Sequence, residues 1–548
     1  MIEIKNKSIQ WELLILFFLV SLTILSTVIK IKHGFDIDEG YAISMGMRLH
    51  AGDKLITDIW DPYQFSALFI KPFIDMVYSL EGNSQQIVLI TRIFSVIIQA
   101  VVSIIVYRFL ASETKNKFIS LILSLCYFNF LPKQIQNIDH ATTLVWFSTL
   151  FFISYLRYYK ENKIDKLILM GIFYCCMVLA YPTQIILFPF ILLIIFYVSI
   201  TIKKINAICI FSIVCVVIGF ITILCVNPLE LIRNVKFIIM DGSHNFTFSY
   251  HFLRLIREII RIVIYVIPLI VAACIINKLF RIKQNFVNIS SILLVLWFGG
   301  IFILNFLGFP WPPISMYVRY FILCVIGFFL IEKNKNELKY LYILSFIMMS
   351  ITFLSSNTGI DHASGFLIFI SIISILIIFK QLNMQKLKKT IIISFLLFGT
   401  ILLSEMMIKM NSVRITGTGF ANRDSVHIMG INKLNNIYIQ ENQYKYYLEV
   451  DELLSQKDGK LIYCGIESLS LFDNNLHIVT PTTTGTPDFN SQWVEYYRIH
   501  PFDTAYLLIE QGSFNRVMDS ILWSYFKENY QINEIYSSNL NILYVLEK

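Results

Sequence analysis

What constrains this chain most is a succession of apolar runs, about 14–21 residues long and nearly free of charge, that recurs from Trp11 to about Ile408. Wound as a helix, a stretch of that length crosses the hydrocarbon core of a bilayer. With no water there, a helix lets such a segment satisfy its own backbone polar groups. Thirteen runs can be counted, at roughly 11–29, 87–107, 118–131, 141–156, 167–180, 183–202, 207–226, 259–277, 289–307, 315–331, 340–355, 363–379 and 390–408. The 56% hydrophobic and 15% charged residues exclude a soluble globular protein. The expectation is a polytopic α-helical membrane protein of about thirteen spans.

The formal net charge of +8 is concentrated in alternate links, and so it reports membrane orientation rather than a nucleic-acid partner. Arg108 to Lys117, Arg157 to Lys166, Lys203-Lys204, Lys278 to Lys283, Lys333 to Lys339 and Lys380 to Lys389 each hold two or more basic residues. The short links on the other side, around 132–140, 181–182, 308–314 and 356–362, hold only Lys133. Basic links face the cytoplasm, which predicts a plasma-membrane protein with a cytoplasmic N-terminus and, from an odd span count, an outer C-terminus. The first run has no small-residue cleavage site after it and reads as a retained helix.

From about Asn411 the pattern changes. Apolar runs shorten to strand length at Lys460–Cys464 and Ala505–Ile509, with helical segments around Tyr444–Ser455 and Phe514–Phe526. The chain therefore divides into a membrane module, 1–410, and an extracytoplasmic α/β domain, 411–548. Eight of the nine cysteines lie in apolar runs and only Cys464 in the tail, so no disulfide framework or cysteine-based metal site is available there.

Polar chemistry gathers on the outer face, with all nine histidines. The first outer loop, 30–86, carries Asp36, Asp38 and Glu39 directly after the first run, then Trp60-Asp61-Pro62 and Lys71-Pro72. Carboxylates at a bilayer surface are costly to keep near hydrocarbon and tend to be functional. The second outer loop ends in Asn137-Ile138-Asp139-His140. Asp38-Glu39 after the first span, Asp139 opening the fourth, and about thirteen spans followed by an outer domain resemble the GT-C superfamily of membrane glycosyltransferases. The likeness is to the branch of protein O-mannosyltransferases and aminoarabinose transferases, and it covers the whole layout. It departs at the Lys-Pro-Pro often found in that branch, where this chain has Gln64-Phe65-Ser66 or Lys71-Pro72-Phe73.

The resemblance implies transfer of a sugar from a polyprenyl-phosphate donor, of undecaprenyl type, to an extracytoplasmic glycan, lipid or protein of the cell envelope. The chemistry needs a carboxylate to take the acceptor's proton and cations to meet the departing phosphate. Asp38 is the expected base, with inversion at the sugar; Glu39, as a sugar-hydroxyl ligand, and Asp139 are the other catalytic candidates, the alternative being helix capping for Asp38 and Asp139 and a solvated or structural neighbour for Glu39. For the phosphate, Arg254, Arg257 and Arg261 fall at helical spacing on one face, Arg319 and Tyr320 stand at the mouth of the tenth run, and Lys71 follows in the first loop. The alternative for the arginines is snorkelling to ordinary headgroups. His140, Asp361 and His362 offer imidazole and carboxylate ligands to a divalent cation. Two rivals remain: a lipid-linked glycan polymerase or ligase, expected to carry its main polar loop late in the bundle, and a transporter of lipid-linked oligosaccharide, expected to show charges at mid-membrane depth and a repeated half.

Overall fold

The computed structural model describes residues 2–81, 85–133, 135–201, 206–239, 248–308, 318–333, 335–356, 359–385, 388–411, 425–465, 476–483 and 489–548. The N-terminal part is helical: α1 Ile2–Lys32, α2 Ile37–His50, α3 Ala67–Glu81, α4 Ile87–Thr114, α5 Lys117–Asn129, α6 His140–Glu161, α7 Ile164–Ala180, α8 Phe188–Thr201 and α9 Asn206–Cys225. It continues through α10 Pro228–Ile239, α11 Phe248–Leu279, α12 Phe286–Phe306, α13 Arg319–Phe329, α14 Asn336–Leu354, α15 Ile360–Gly365, α16 Ile368–Asn383 and α17 Lys388–Asn411. A helix overlies each of the thirteen apolar runs. Among the described residues, seven helices are long and apolar enough to cross a membrane, and four more apolar helices are shorter. The eleven-residue α13 rises only about 16 Å at 1.5 Å per residue, less than the thickness of a hydrocarbon core.

The bundle interior is less free of charge than the apolar runs suggest. Arg92 on α4, Arg319 on α13, and Glu405 and Lys409 on α17 are all buried. Each is matched by polar groups from neighbouring helices, such as the Thr27 hydroxyl 3.1 Å from Lys409 Nζ, which is how a buried charge is tolerated.

The first loop is folded rather than extended. Gly46 lets α2 lie directly on α3, since a Cβ there would strike Ile74 and Ile70. Both helices bury their apolar faces in the main core, Ile43 and Met45 from α2 with Ile70 and Ile74 from α3.

The C-terminal α/β domain carries strands β1 Ser425–His427, β2 Tyr438–Gln440, β3 Gly459–Cys464, β4 Leu476–Ile478, β5 Thr504–Glu510, β6 Gln531–Ser537 and β7 Asn541–Glu547. The last five form one mixed sheet in the order β4-β3-β5-β7-β6, with β3 parallel to β4 and β5 and with β7 antiparallel to β5 and β6. Strands β3 and β5 lie over the sequence-predicted runs, and helix α18, Glu441–Leu454, matches the first predicted helical segment. The second predicted segment is broken into α20 Phe514–Met518 and α21 Ile521–Asn529, after α19 Ser491–Ile499. The cause is Ser520, whose hydroxyl accepts the Trp523 N–H at 3.2 Å and starts a new helix.

Trp60 of the first loop is wholly buried in this domain's core with Trp493, Tyr496 and Tyr497. Its backbone N–H donates to the Pro481 carbonyl at 2.7 Å, and its ring stacks on Phe237 of α10 at 4.8 Å. Arg48 at the end of α2 donates to Asp53 Oδ2 at 2.6 Å and to the Thr480 carbonyl at 2.8 Å, while His477 Nε2 lies 3.0 Å from Asp53 Oδ1. Burial alone would raise the Asp53 carboxyl, but the Arg48 guanidinium and His477 hold it below its ordinary 3.8. The first loop and the C-terminal domain therefore share one core and one side of the bundle.

Candidate active site

Three acidic residues sit in four positions at the start of α2, and the backbone gives each a different task. Asp36 has extended backbone and accepts the Asp38 N–H on its side chain at 2.9 Å, so Asp36 is the N-cap. Glu39 is turned inward and buried. Its two oxygens meet Arg92 Nε and Nη2, each at 2.7 Å, in the two-pronged geometry that suits a guanidinium and a carboxylate. Arg92 also donates to the carbonyls of Ile31, at 2.6 Å, and Gly34, so a single arginine of α4 fixes the turn between α1 and α2. Asp38, relieved of capping, keeps 30% of its side chain exposed.

The partner of Asp38 comes from the link between α5 and α6. Lys133 Nζ lies 3.0 Å from Asp38 Oδ2 and 2.9 Å from His140 Nε2. An ammonium only donates, so in this contact Nε2 of His140 is the acceptor. The imidazole is held flat on the Tyr63 ring, with centroids 4.4 Å apart and planes 10° apart. Tyr63 in turn bonds the Tyr181 hydroxyl at 3.1 Å, and Asp61 binds both the Tyr63 N–H, at 2.9 Å, and the Tyr41 hydroxyl.

Asp139 adjoins this cluster as the N-cap of α6, with Oδ1 accepting the Thr142 N–H at 2.7 Å. The residue is fully buried, and Oδ2 has no hydrogen-bond partner among the described residues. Burial pushes its carboxyl above the ordinary 3.8 against the pull of Lys133 and the Thr142 N–H, and Asp38 adds to the rise. The capping alternative is the geometry found for Asp139, and a protonated acid there leaves no buried charge unmatched.

The cationic candidates are dispersed. Arg254 is buried, donates to the carbonyls of Ser356, at 2.6 Å, and Phe353, and lies 4.3 Å over the Phe353 ring; it closes the C-terminal end of α14, where carbonyls lack helical partners. Arg257 is exposed, and Arg261 pairs with Glu258 at 3.5 Å. The three arginines thus do not present one cationic face, because Glu258 interrupts it. Arg319, the first residue of α13, is buried 3.9 Å from Glu405, over the rings of Phe130 and Tyr320. Lys71 bonds Asp75 at 2.6 Å one helical turn away, an oxygen pair that His50 shares.

Among the described residues, no group of three or more histidine, cysteine, aspartate or glutamate side chains could hold a metal. At His140 the place of a metal on Nε2 is taken by the Lys133 ammonium. The Asp361 side chain lies outside the described residues, and His362 is half-buried on α15.

Sequence reasoning did not assign roles to Lys133 and Arg92, though both left a signal. Lys133 is the one basic residue in the short outer links, and Arg92 is a lone charge in an apolar run, which demands a partner.

Fold and cluster together define a polytopic helical membrane protein with a carboxylate–ammonium–imidazole group where the bundle meets its polar domain. No protein-family model matches the chain, and no curated protein matches it. Among solved structures the chain is similar to that of ArnT from Cupriavidus metallidurans bound to undecaprenyl phosphate, over 98% of each chain, with 10% sequence identity and a TM-score of 0.47.

Proposed function

We propose that this protein is a membrane glycosyltransferase that moves a sugar from a polyprenyl-phosphate donor to an extracytoplasmic acceptor of the cell envelope, with Asp38 as general base. The observation that carries the reading is the pairing of Asp38 with Lys133: a partly exposed carboxylate, free of capping duty, beside an ammonium at the end of an apolar bundle. That is the combination a lipid-linked sugar needs. The isoprenoid chain stays among the helices, while the sugar and its phosphate stand at the polar face.

In the reaction the acceptor hydroxyl oxygen forms a bond to the anomeric carbon as the bond from that carbon to the phosphate oxygen breaks. The electron pair leaves with the phosphate, and the acceptor's proton passes to Asp38. Attack opposite the leaving group inverts the anomeric centre. Glu39, locked to Arg92, positions the turn that carries Asp38, and the Tyr63–His140 stack fixes the opposite wall. In this reading the cluster and the C-terminal domain face outward and the basic links face the cytoplasm.

The test is transfer from radiolabelled polyprenyl-phosphate sugars in proteoliposomes. Asp38→Asn keeps the side-chain size and is expected to lose transfer by about 10²–10⁴-fold, the usual worth of general-base assistance. Near-normal turnover by this variant would remove the assignment. The buried Arg319–Glu405 pair, with Lys409 also buried in the bundle, speaks for a transporter instead, and movement of lipid-linked oligosaccharide with no sugar transfer would establish that reading.

A further inference from the structure

A concave site that the proposed reaction does not use lies at the end of the bundle away from Asp38. Arg92, which fixes the turn carrying Asp38, and Glu113 stand on the same helix, α4, about 32 Å apart at 1.5 Å per residue. Around Glu113 the ends of α4, α6 and α16 and the start of α14 leave a cavity of about 460 Å³. Its floor is apolar, with Phe109, Ile373 and Leu376 buried and Phe109 packed on Phe369 at 5.8 Å. Its rim is charged, with Lys160, Lys335 and Lys380 against Glu113 and Glu337. Glu113 is matched by Lys160 at 2.9 Å. Glu337 sits in the first turn of α14, where a carboxylate offsets the helix dipole. Lys335 and Lys380, both exposed, make no ion pair or side-chain hydrogen bond among the described residues. Two of the walls are tied together, since the Tyr155 hydroxyl on α6 donates to the Glu337 carbonyl on α14 at 3.3 Å. Tyr197 of α8 and Tyr340 of α14 meet edge to face at 5.4 Å on the adjoining turns, as aromatic rings do at a membrane surface.

We propose that this cavity is a binding site for an anionic phospholipid of the membrane leaflet opposite the Asp38 cluster, with its phosphate at Lys335 and Lys380 and the first part of its chains on the apolar floor. An apolar floor under a charged rim calls for an amphiphile, because a soluble phosphate would meet the lysines and leave the floor wet. The volume lies in the range of pockets that enclose a small ligand. The sign of the headgroup follows from the rim: both acids are already offset, and the two cations that are not attract phosphate and repel the choline of a net-neutral lipid. Basic pockets between helices at one membrane face hold anionic headgroups for the same reason. A lipid seated there touches α4, α6, α14 and α16 at once. Since α4 and α6 carry Arg92 and His140 near their other ends, the lipid braces the frame of the Asp38 cluster without touching it.

The experiment titrates the delipidated full-length protein in a neutral detergent with dioleoylphosphatidylglycerol or dioleoylphosphatidylcholine and counts retained lipid by native mass spectrometry. One phosphatidylglycerol is expected to bind about tenfold more tightly than phosphatidylcholine. Lys335→Gln with Lys380→Gln is expected to weaken that binding about twentyfold, a roughly fivefold step for each lysine. Ile377→Trp, at a half-buried lining position, fills the apolar part and is expected to weaken it as far with both lysines in place. Glycerol phosphate, a headgroup without chains, is expected not to displace the lipid at equal concentration. Equal affinity for the two lipids overturns the proposal, as does undiminished binding by the lysine variant. Undiminished binding by a folded Ile377→Trp protein overturns it too, because the lysines would then attract lipid at the surface and not in the cavity. Displacement by glycerol phosphate would make the occupant a soluble phosphate compound and remove the lipid. If Ile377→Trp fails to fold, the lysine variant, altered only at exposed side chains, and the comparison of the two lipids decide.

Discussion

Trp60 and Pro481 are joined by a backbone hydrogen bond of 2.7 Å, although one belongs to the first loop and the other to the C-terminal domain. The two segments must therefore lie on the same side of the membrane. Cysteines placed at the exposed positions Lys54 and Lys460 are expected to react together with an impermeant maleimide added outside intact cells. One at Lys163, in the link between α6 and α7, is expected to react only after permeabilisation. Opposite accessibility of positions 54 and 460 would contradict the interlock.

The Glu39–Arg92 pair is expected to matter for stability more than for chemistry. Removing one member strands a buried charge, a loss of about 3–5 kcal/mol, so Arg92→Ala and Glu39→Ala should each unfold well below the natural protein in detergent melts. Asp38→Asn should leave the melting temperature nearly unchanged. Equal thermal effects at positions 38 and 39 would argue against separating the two carboxylates by role.

Asp139 offers a contrast through pH. Its folded-state carboxyl lies above the unfolded 3.8, so the native protein holds this proton more tightly. That contribution is present below 3.8 and is lost as pH rises through the raised value. Asparagine caps a helix as well as aspartate does and carries no charge, so Asp139→Asn should flatten this part of the stability profile and keep most transfer activity. Melting curves across the acidic range, natural protein against variant, measure it; a dead but fully folded Asp139→Asn would move the base to the second loop.

Asp53 behaves in the opposite sense. Its folded-state carboxyl is held below the unfolded 3.8, so its contribution is present above 3.8 and is lost as pH falls through the lowered value. Acidification is therefore expected to loosen the contact between α2 and the C-terminal domain, read as a red shift of tryptophan emission with Trp60 as the reporter. Asp53→Asn should show the shift already at neutral pH.

The helices, the C-terminal α/β fold and the acidic loop could be read from the sequence, because hydrophobic periodicity and abrupt composition changes are local signals. Which of Asp36, Asp38 and Glu39 does what could not. The answer depends on backbone dihedrals at one helix start and on Arg92, more than fifty positions away. Arg254 and Arg319 have the composition of phosphate ligands, but burial against helix-end carbonyls or against Glu405 is a tertiary fact that spacing does not encode. The β6–β7 hairpin escaped for a related reason: β6 is largely exposed and carries only weak apolar alternation.

The enclosure of Trp60 also sets an order of events in synthesis. Arg48 and Thr480, which meet in the same interlock, are 432 positions apart in the chain, and domains generally fold as units during synthesis, N-terminal first. The acidic loop emerges well before the segment around Thr480, so the core that receives its tryptophan does not exist until the C-terminal α/β domain has been made. A ribosome-stalled or prematurely terminated product would display an unburied Trp60 and an unanchored first loop. Quality-control proteases can recognise such a product, and the first loop is anchored only once the C-terminal α/β domain has emerged.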